Sequence, residues 1–179
     1  MNLFAPLQTA ASLFRRPAKQ IGLSPGTLIH VGEQKIEKPV LSYIAYDENF
    51  FQDQRDITLE DCLEVSRKGL TSWINLDGIH DVSWVEATGK AFDIHPLALE
   101  DILNTGHPPK FEEFENCALI ITKLFYYDPE SYRIEAEQFS LMLTATNVLT
   151  FQERPGDVFD GVRGRLQRKS GRIRQRGSG

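Results

Sequence analysis

The sequence predicts an α/β domain, with a β-sheet covered on both faces by helices that lie between its strands. Three observations lead there. Cys117–Tyr127 (CALIITKLFYY) is a near-continuous apolar run of the kind found in strands buried on both sides. Arg133–Leu143 and Asn147–Phe151 form two further β segments, and the short link between them implies a hairpin. Segments with helical spacing and their own start signals fall between the other strands and supply the covering layers.

The elements follow in order. Met1–Gln20 carries Phe4, Leu7, Leu13 and Phe14 with Arg15, Arg16 and Lys19, and reads as a mobile tail or a short helix packed on a neighbour. A secretory signal would place its basic residues before its apolar run, the reverse of this order. Ser24-Pro25-Gly26 is a turn, Thr27–Val31 a short strand, and Val40–Tyr46 a second strand bounded by Pro39 and Asp47. Thr58-Leu59-Glu60-Asp61 has the form of a capping box, opening a helix with Leu59, Cys62, Leu63 and Val65 that ends by Gly69. Ser72–Leu76 is a strand leaving through Asp77-Gly78, and Asp81 caps a helix with Val82, Val85, Gly89 and Phe92 on one face. Trp73 and Trp84 are expected in the core. After the turn at Pro155-Gly156, Val158, Phe159, Val162 and Leu166 define a last amphipathic helix, weakened by Gly161 and Gly164.

Composition bounds the function. The chain has 179 residues, 41% hydrophobic and 25% charged, enough for one domain with a real core. Its longest uncharged run, Gln138–Gln152, is 15 residues, short of the ~20 that a membrane helix needs. The net charge of −5 is unevenly spread. Residues 161–179 hold seven basic residues and no acid, so residues 1–160 carry −12. An acidic body suits divalent cations and disfavours nucleic acid. The basic run Arg163–Gly177 lacks interleaved aromatics and reads as solvated helix surface. Cys62 and Cys117 fit buried, unpaired positions. His30, His80, His95 and His107 show no i, i+4 pair and no HExxH spacing, and no GxSxG, P-loop or GxGxxG is present. No enzyme is expected.

The most informative stretch is His95–Asn116, HPLALEDILNTGHPPKFEEFEN. Pro96 suits a first helical position, with His95 capping or orienting it, and Asn104 and Gly106 offer the stop. Glu100 and Asp101 are consecutive, so they point ~100° apart around the axis and at least one must leave the core. With PGTLIHVG, SWINLDGIHD and EAEQFSLMLTATNVLTFQERPGDVF in the same order, this block resembles the CorA family of magnesium transporters. The resemblance covers 25–176, leaving 1–24 as a tail and 177–179 as a flexible end or truncation point. It matches only the amino-terminal cytoplasmic domain of such a transporter. The family's stalk helix, two membrane helices and Gly-Met-Asn pore motif are absent from the sequence, and the chain alone is not expected to conduct ions.

The resemblance implies a mixed parallel and antiparallel sheet sandwiched between two layers of helices. It also implies a homopentameric parent in the cell (inner) membrane, with this part cytoplasmic, other subunits joined through the stalk, and divalent cations as ligands. Asp101 stands at the position of a metal ligand between subunits and Glu100 near a second ion, with partner carboxylates on later helices. The implied ligand is regulatory Mg²⁺, with Co²⁺ the second candidate, bound weakly by the isolated domain. Such ions favour octahedral oxygen, commonly one or two carboxylates plus water. A zinc-transporting relative on the same scaffold and a stand-alone metal-dependent hydrolase are the alternatives. Pro108, where relatives commonly carry Arg, removes a salt-bridge partner for the nearby acids. Cys117 and Gly161 replace a common aromatic and a common proline.

Overall fold

The computed structural model describes Ser24, residues 27–130 and residues 132–175. The expectations for the first 20 residues and for the final three lie outside the described residues. Seven strands form one sheet: β1 (Val40–Tyr46), β2 (Phe51–Arg55), β3 (Thr71–Asp77), β4 (Lys110–Glu113), β5 (Cys117–Asp128), β6 (Arg133–Thr144) and β7 (Asn147–Gln152). Their spatial order is β2-β1-β3-β7-β6-β5-β4. Only β3 and β7 run parallel, with Ile74 opposite Leu149, and every other pair is antiparallel. The expected β6–β7 hairpin is present, closing on Leu143 opposite Val148.

Four helices are described: α1 (Leu59–Arg67), α2 (Val82–Ala91), α3 (Pro96–Leu103) and α4 (Asp160–Gln167). The local start signals work as their chemistry dictates. Thr58 Oγ1 accepts from the Asp61 amide at 3.2 Å, and Asp61 returns the favour to the Thr58 amide at 2.8 Å. Asp81 accepts from the Ser83 amide at 3.0 Å. His95 Nδ1 accepts from the Leu97 amide at 3.2 Å, with Pro96 following it, and the imidazole stacks on Phe114.

Side-chain alternation divides the sheet into two faces. Leu41, Tyr43, Ile74, Leu76, Leu119, Ile121, Met142, Leu149 and Phe151 pack against Cys62, Val65, Val85, Leu99, Ile102 and Leu103 of α1–α3. On the other face Ile44 and Tyr46 meet Leu166 of α4, flanked by Trp73 and Ile173. Trp73 and Trp84 both pack on the core, as expected. Gly89 of α2 is where α3 comes closest, since a Cβ there would lie 2.3 Å from Leu99 Cδ1.

Three expectations need correction, and two strands went unrecognised. Thr27–Val31 is no strand: Val31 makes a single bridge to Asn104, and its amide donates to Leu103 O at 2.9 Å. Cys117 is half-buried, because it opens β5 near a sheet edge, whereas Cys62 is fully buried; both thiols are free. The last helix begins at Asp160, two residues late, because Asp157 Oδ1 accepts from the Phe159 amide at 2.9 Å and holds an open turn. The unrecognised strands, β2 and β4, each carry one apolar residue, Phe51 and Phe111. Both are edge strands whose other side chains are charged or amide; pairing with a neighbour holds them extended, and Phe51 also packs beside Ile44, Tyr46 and Leu166.

Candidate functional site

Asp101 lies in the last turn of α3. Ala98, Leu99, Ile102 and Leu103 take the buried side of this eight-residue helix, so the remaining arc must carry the polar residues. The helix end is fixed from two directions. Gln138 of β6, fully buried, donates to the Ile102 carbonyl at 2.9 Å and the Asp101 carbonyl at 3.4 Å. Val31 holds the Leu103 carbonyl, and Thr105 donates back to the Val31 carbonyl through its amide at 3.0 Å.

The turn that follows brings an imidazole and an ammonium back onto the Asp101 carboxylate. Asn104 Oδ1 accepts from the Gly106 amide at 3.2 Å, the two prolines then force extended backbone, and Lys110 begins β4. His107 Nε2 lies 2.8 Å from Asp101 Oδ1, and the Lys110 ammonium contacts Asp101 Oδ2. Lys110 also reaches Glu112 Oε2 at 2.7 Å. Burial alone would lower the Lys110 pKa, but the Asp101 and Glu112 carboxylates outweigh it and raise it. The Asp101 side chain keeps 19% of its surface accessible, so it is reachable from solvent. Glu100, its neighbour, is half-buried and turned away by its place on the helix.

Asp101 therefore sits in a surface ion cluster with His107, Lys110 and Glu112. Among the described residues no three His, Cys, Asp or Glu side chains are grouped to hold a metal ion. Sequence reasoning missed His107 and Lys110 as partners and registered only the arginine lost at Pro108. The available signal was spacing: a His and a Lys six and nine residues after Asp101, with a Pro-Pro pair between them to fold the chain back.

The other residues singled out have different work. Imidazole nitrogens of His30 and His80 are buried without a hydrogen-bond partner near the Lys35–Glu153 pair. In the basic run, Arg163 grips Asp157 through two contacts of 2.5 Å and lies over Trp73, its guanidinium 4.6 Å from the ring centroid. Arg174 is 9% exposed and donates to the carbonyls of Leu166, Gln167 and Phe50. Two of the arginines expected on a solvated surface are thus structural, because α4 must be fastened to the sheet. Arg176 and Gly177 lie outside the described residues.

Beneath α4, a buried polar ladder joins β3 to β7. Thr150 Oγ1 and Gln152 Nε2 donate to Asn75 Oδ1 at 2.7 and 2.8 Å, and Asn75 Nδ2 donates to Asp77 Oδ1 at 2.9 Å. Burial pushes the Asp77 carboxyl up, against the pull of Asn75 and Arg55. A carboxyl with a folded pKa above its unfolded value lets the native state bind the extra proton, so stability falls as pH rises across that interval. Asp77→Asn is therefore expected to raise the melting temperature at pH 7.5 and to lose that advantage as pH falls towards 4. Equal effects at both pH values would show that Asp77 is fully ionised at no cost.

Fold and site together describe an α/β domain with a solvent-reachable ion cluster at the end of a short helix, and no described helix is long and apolar enough to cross a membrane. Residues 70–178 match the family model described as CorA-like Mg²⁺ transporter protein, and the chain belongs to that family. It is 41% identical over 162 residues to the cobalt/magnesium transport protein CorA of Thermotoga maritima, a match covering 90% of this chain and 46% of that protein. The chain thus spans about half the length of this curated relative. Among solved structures, full-length CmaX superposes with a TM-score of 0.55 at 12% identity, covering 78% of this chain and 42% of the other, and supports the fold. The soluble domain of CorA from Methanocaldococcus jannaschii gives a TM-score of 0.45 at 18% identity over 75% of this chain and 48% of its own.

Proposed function

We propose that this chain is the cytoplasmic sensing domain of a CorA-type magnesium and cobalt channel of the cell membrane, and that it has no catalytic role. In the parent protein it works within a homopentamer joined through later helices. Asp101, with Glu100 beside it, is half of a regulatory Mg²⁺ site, and acids of a neighbouring subunit are the other half. The observation that carries this reading is the solvent-reachable Asp101 carboxylate, contacted by the Lys110 ammonium and the His107 imidazole, in a chain of this family.

The donor set fits the ion. Asp101 gives one solvent-reachable carboxylate and no full cage, with Glu100 next to it in sequence, and Mg²⁺ would retain its remaining waters. When bound, Mg²⁺ would supply a divalent charge that neutralises carboxylates of adjoining subunits. Lys110 already occupies Asp101 in the isolated chain, so its ammonium competes for the same oxygens. Binding here alone is therefore weak, in the millimolar range or above, about 4 kcal/mol or less. A ligand that binds one arrangement of subunits better than another shifts the population towards it. Bare acids repel and bridged acids attract, so rising internal Mg²⁺ stabilises the closed arrangement.

The test is ion flux into vesicles containing the full-length protein, with internal Mg²⁺ varied. Asp101→Asn removes one charge with little change of shape and is expected to keep the channel open at Mg²⁺ levels that close the parent. Lys110→Met removes the competing ammonium and is expected to move closure to lower Mg²⁺. Closure of both variants at the parent's Mg²⁺ level would reduce Asp101 to a surface acid.

A further inference from the structure

The stretch 28–36 is fastened to the end of α3 by its backbone. The Val31 amide donates to Leu103 O at 2.9 Å, and Val31 O accepts from the Thr105 amide and the Thr105 hydroxyl, each at 3.0 Å. The fit is close, since a Cβ on Gly32 would collide with Thr105. His30 sits within this closure. Both of its nitrogens are buried without a hydrogen bond, and so is Nδ1 of His80 at the exit of β3. We propose that His30 is a proton-operated latch: its protonation detaches residues 28–36 from the end of α3, so acid pH loosens the turn on which Asp101 stands.

The groups that face the ring are the Glu33 and Leu103 carbonyls, the His80 imidazole and the carboxylate of Glu153, just after β7. Lys35, Lys123 of β5 and Glu137 of β6 surround Glu153 in turn, and His107 stands beside Asp101 on the same turn of chain. Burial outweighs these neighbours and holds the His30 imidazole below its ordinary value of 6.5. An imidazolium needs an acceptor, and those that would keep the stretch in place are taken. Leu103 O already holds the Val31 amide. Glu153 Oε1 accepts from the Gln138 amide at 2.8 Å, and Oε2 pairs with Lys35 at 2.9 Å. Drawing Glu153 away would free the Gln138 backbone, whose side chain holds the Ile102 carbonyl, so that route also unfastens α3. The Glu33 carbonyl belongs to the moving stretch and travels with the ring. Once open, the stretch exposes His30, which then takes a proton near 6.5, whereas the closed form takes it only at lower pH. The closed form is therefore favoured above that value and loses ground as pH falls through and below it.

The experiment is amide hydrogen exchange of the full chain, corrected for the intrinsic pH dependence of exchange. Between about pH 7.5 and about pH 5 the Val31 and Thr105 amides are expected to exchange about tenfold faster, with those of β7 unchanged. His30→Leu cannot take a proton and is expected to keep the slow rate at both ends. His107→Gln leaves His30 in place and is expected to respond as the parent does. An NMR titration of the parent's imidazoles reads the group directly, and the His30 midpoint is expected below 6.5 whether or not the leucine variant folds. Exchange that ignores pH, an acid response that survives His30→Leu or is abolished by His107→Gln, or a His30 midpoint at or above 6.5 would each overturn the latch.

Discussion

Phe151→Ala is expected to destabilise the domain by about 3–5 kcal/mol, the usual cost of emptying a large aromatic site in a core. Phe151 is 1% exposed and sits on β7, the fourth of seven strands in spatial order. Its register partners are Leu76 on β3 and Ser140 on β6. The small Ser140 makes room for the ring and cannot refill the space once it is gone. For a chain of this length, each kcal/mol corresponds to about 2–4 °C in melting temperature, so a fall of roughly 6–20 °C should follow. Urea unfolding with an unchanged m-value is the measurement. A loss below about 1 kcal/mol would mean that α1–α3 can settle onto the sheet without this side chain.

Arg163→Ala comes next, at about 3 kcal/mol, near the lower end for a broken buried ion pair because the guanidinium is partly accessible. The side chain of Asp157 is 1% exposed and that of Arg163 is 29% exposed. Burial would raise the Asp157 carboxyl, and the Arg163 fork outweighs that and lowers it. Removing the fork leaves a buried carboxylate with only the Gln152 amide and the Phe159 N–H, and strips Trp73 of its cation. Arg163→Lys should recover less than half of the loss, since an ammonium cannot satisfy both oxygens at once. Asp157→Asn together with Arg163→Ala should cost less than the sum of the two single changes. Strict additivity would show that the pair is not coupled.

Much of the local architecture was legible because it is written in neighbouring residues. Thr58 and Asp61, Asp81 and Ser83, and His95 with Pro96 each settle a helix start within one turn of chain, and all three behave as their chemistry predicts. The hairpin between β6 and β7 was readable for the same reason. β2 and β4 were not, because Gln52, Asp53, Glu112 and Glu113 have no preference that separates an edge strand from a loop. The strand expected at Thr27–Val31 failed in the opposite way. Its apolar residues serve a backbone crossing against the end of α3 and make no ladder.

By itself the sequence determined the family, the helix starts, the buried stripes and the candidacy of Asp101 and Glu100. Each of these is carried by residues a few positions apart or by blocks in fixed order. Only the tertiary structure decided what surrounds Asp101 and what holds α4. Lys110 and His107 reach Asp101 because a turn folds β4 back beside α3, and Arg163 finds Asp157 and Trp73 because α4 crosses the far face of the sheet. Charge pairing depends on distance in space and on local burial, and linear spacing constrains neither until the backbone has closed on itself.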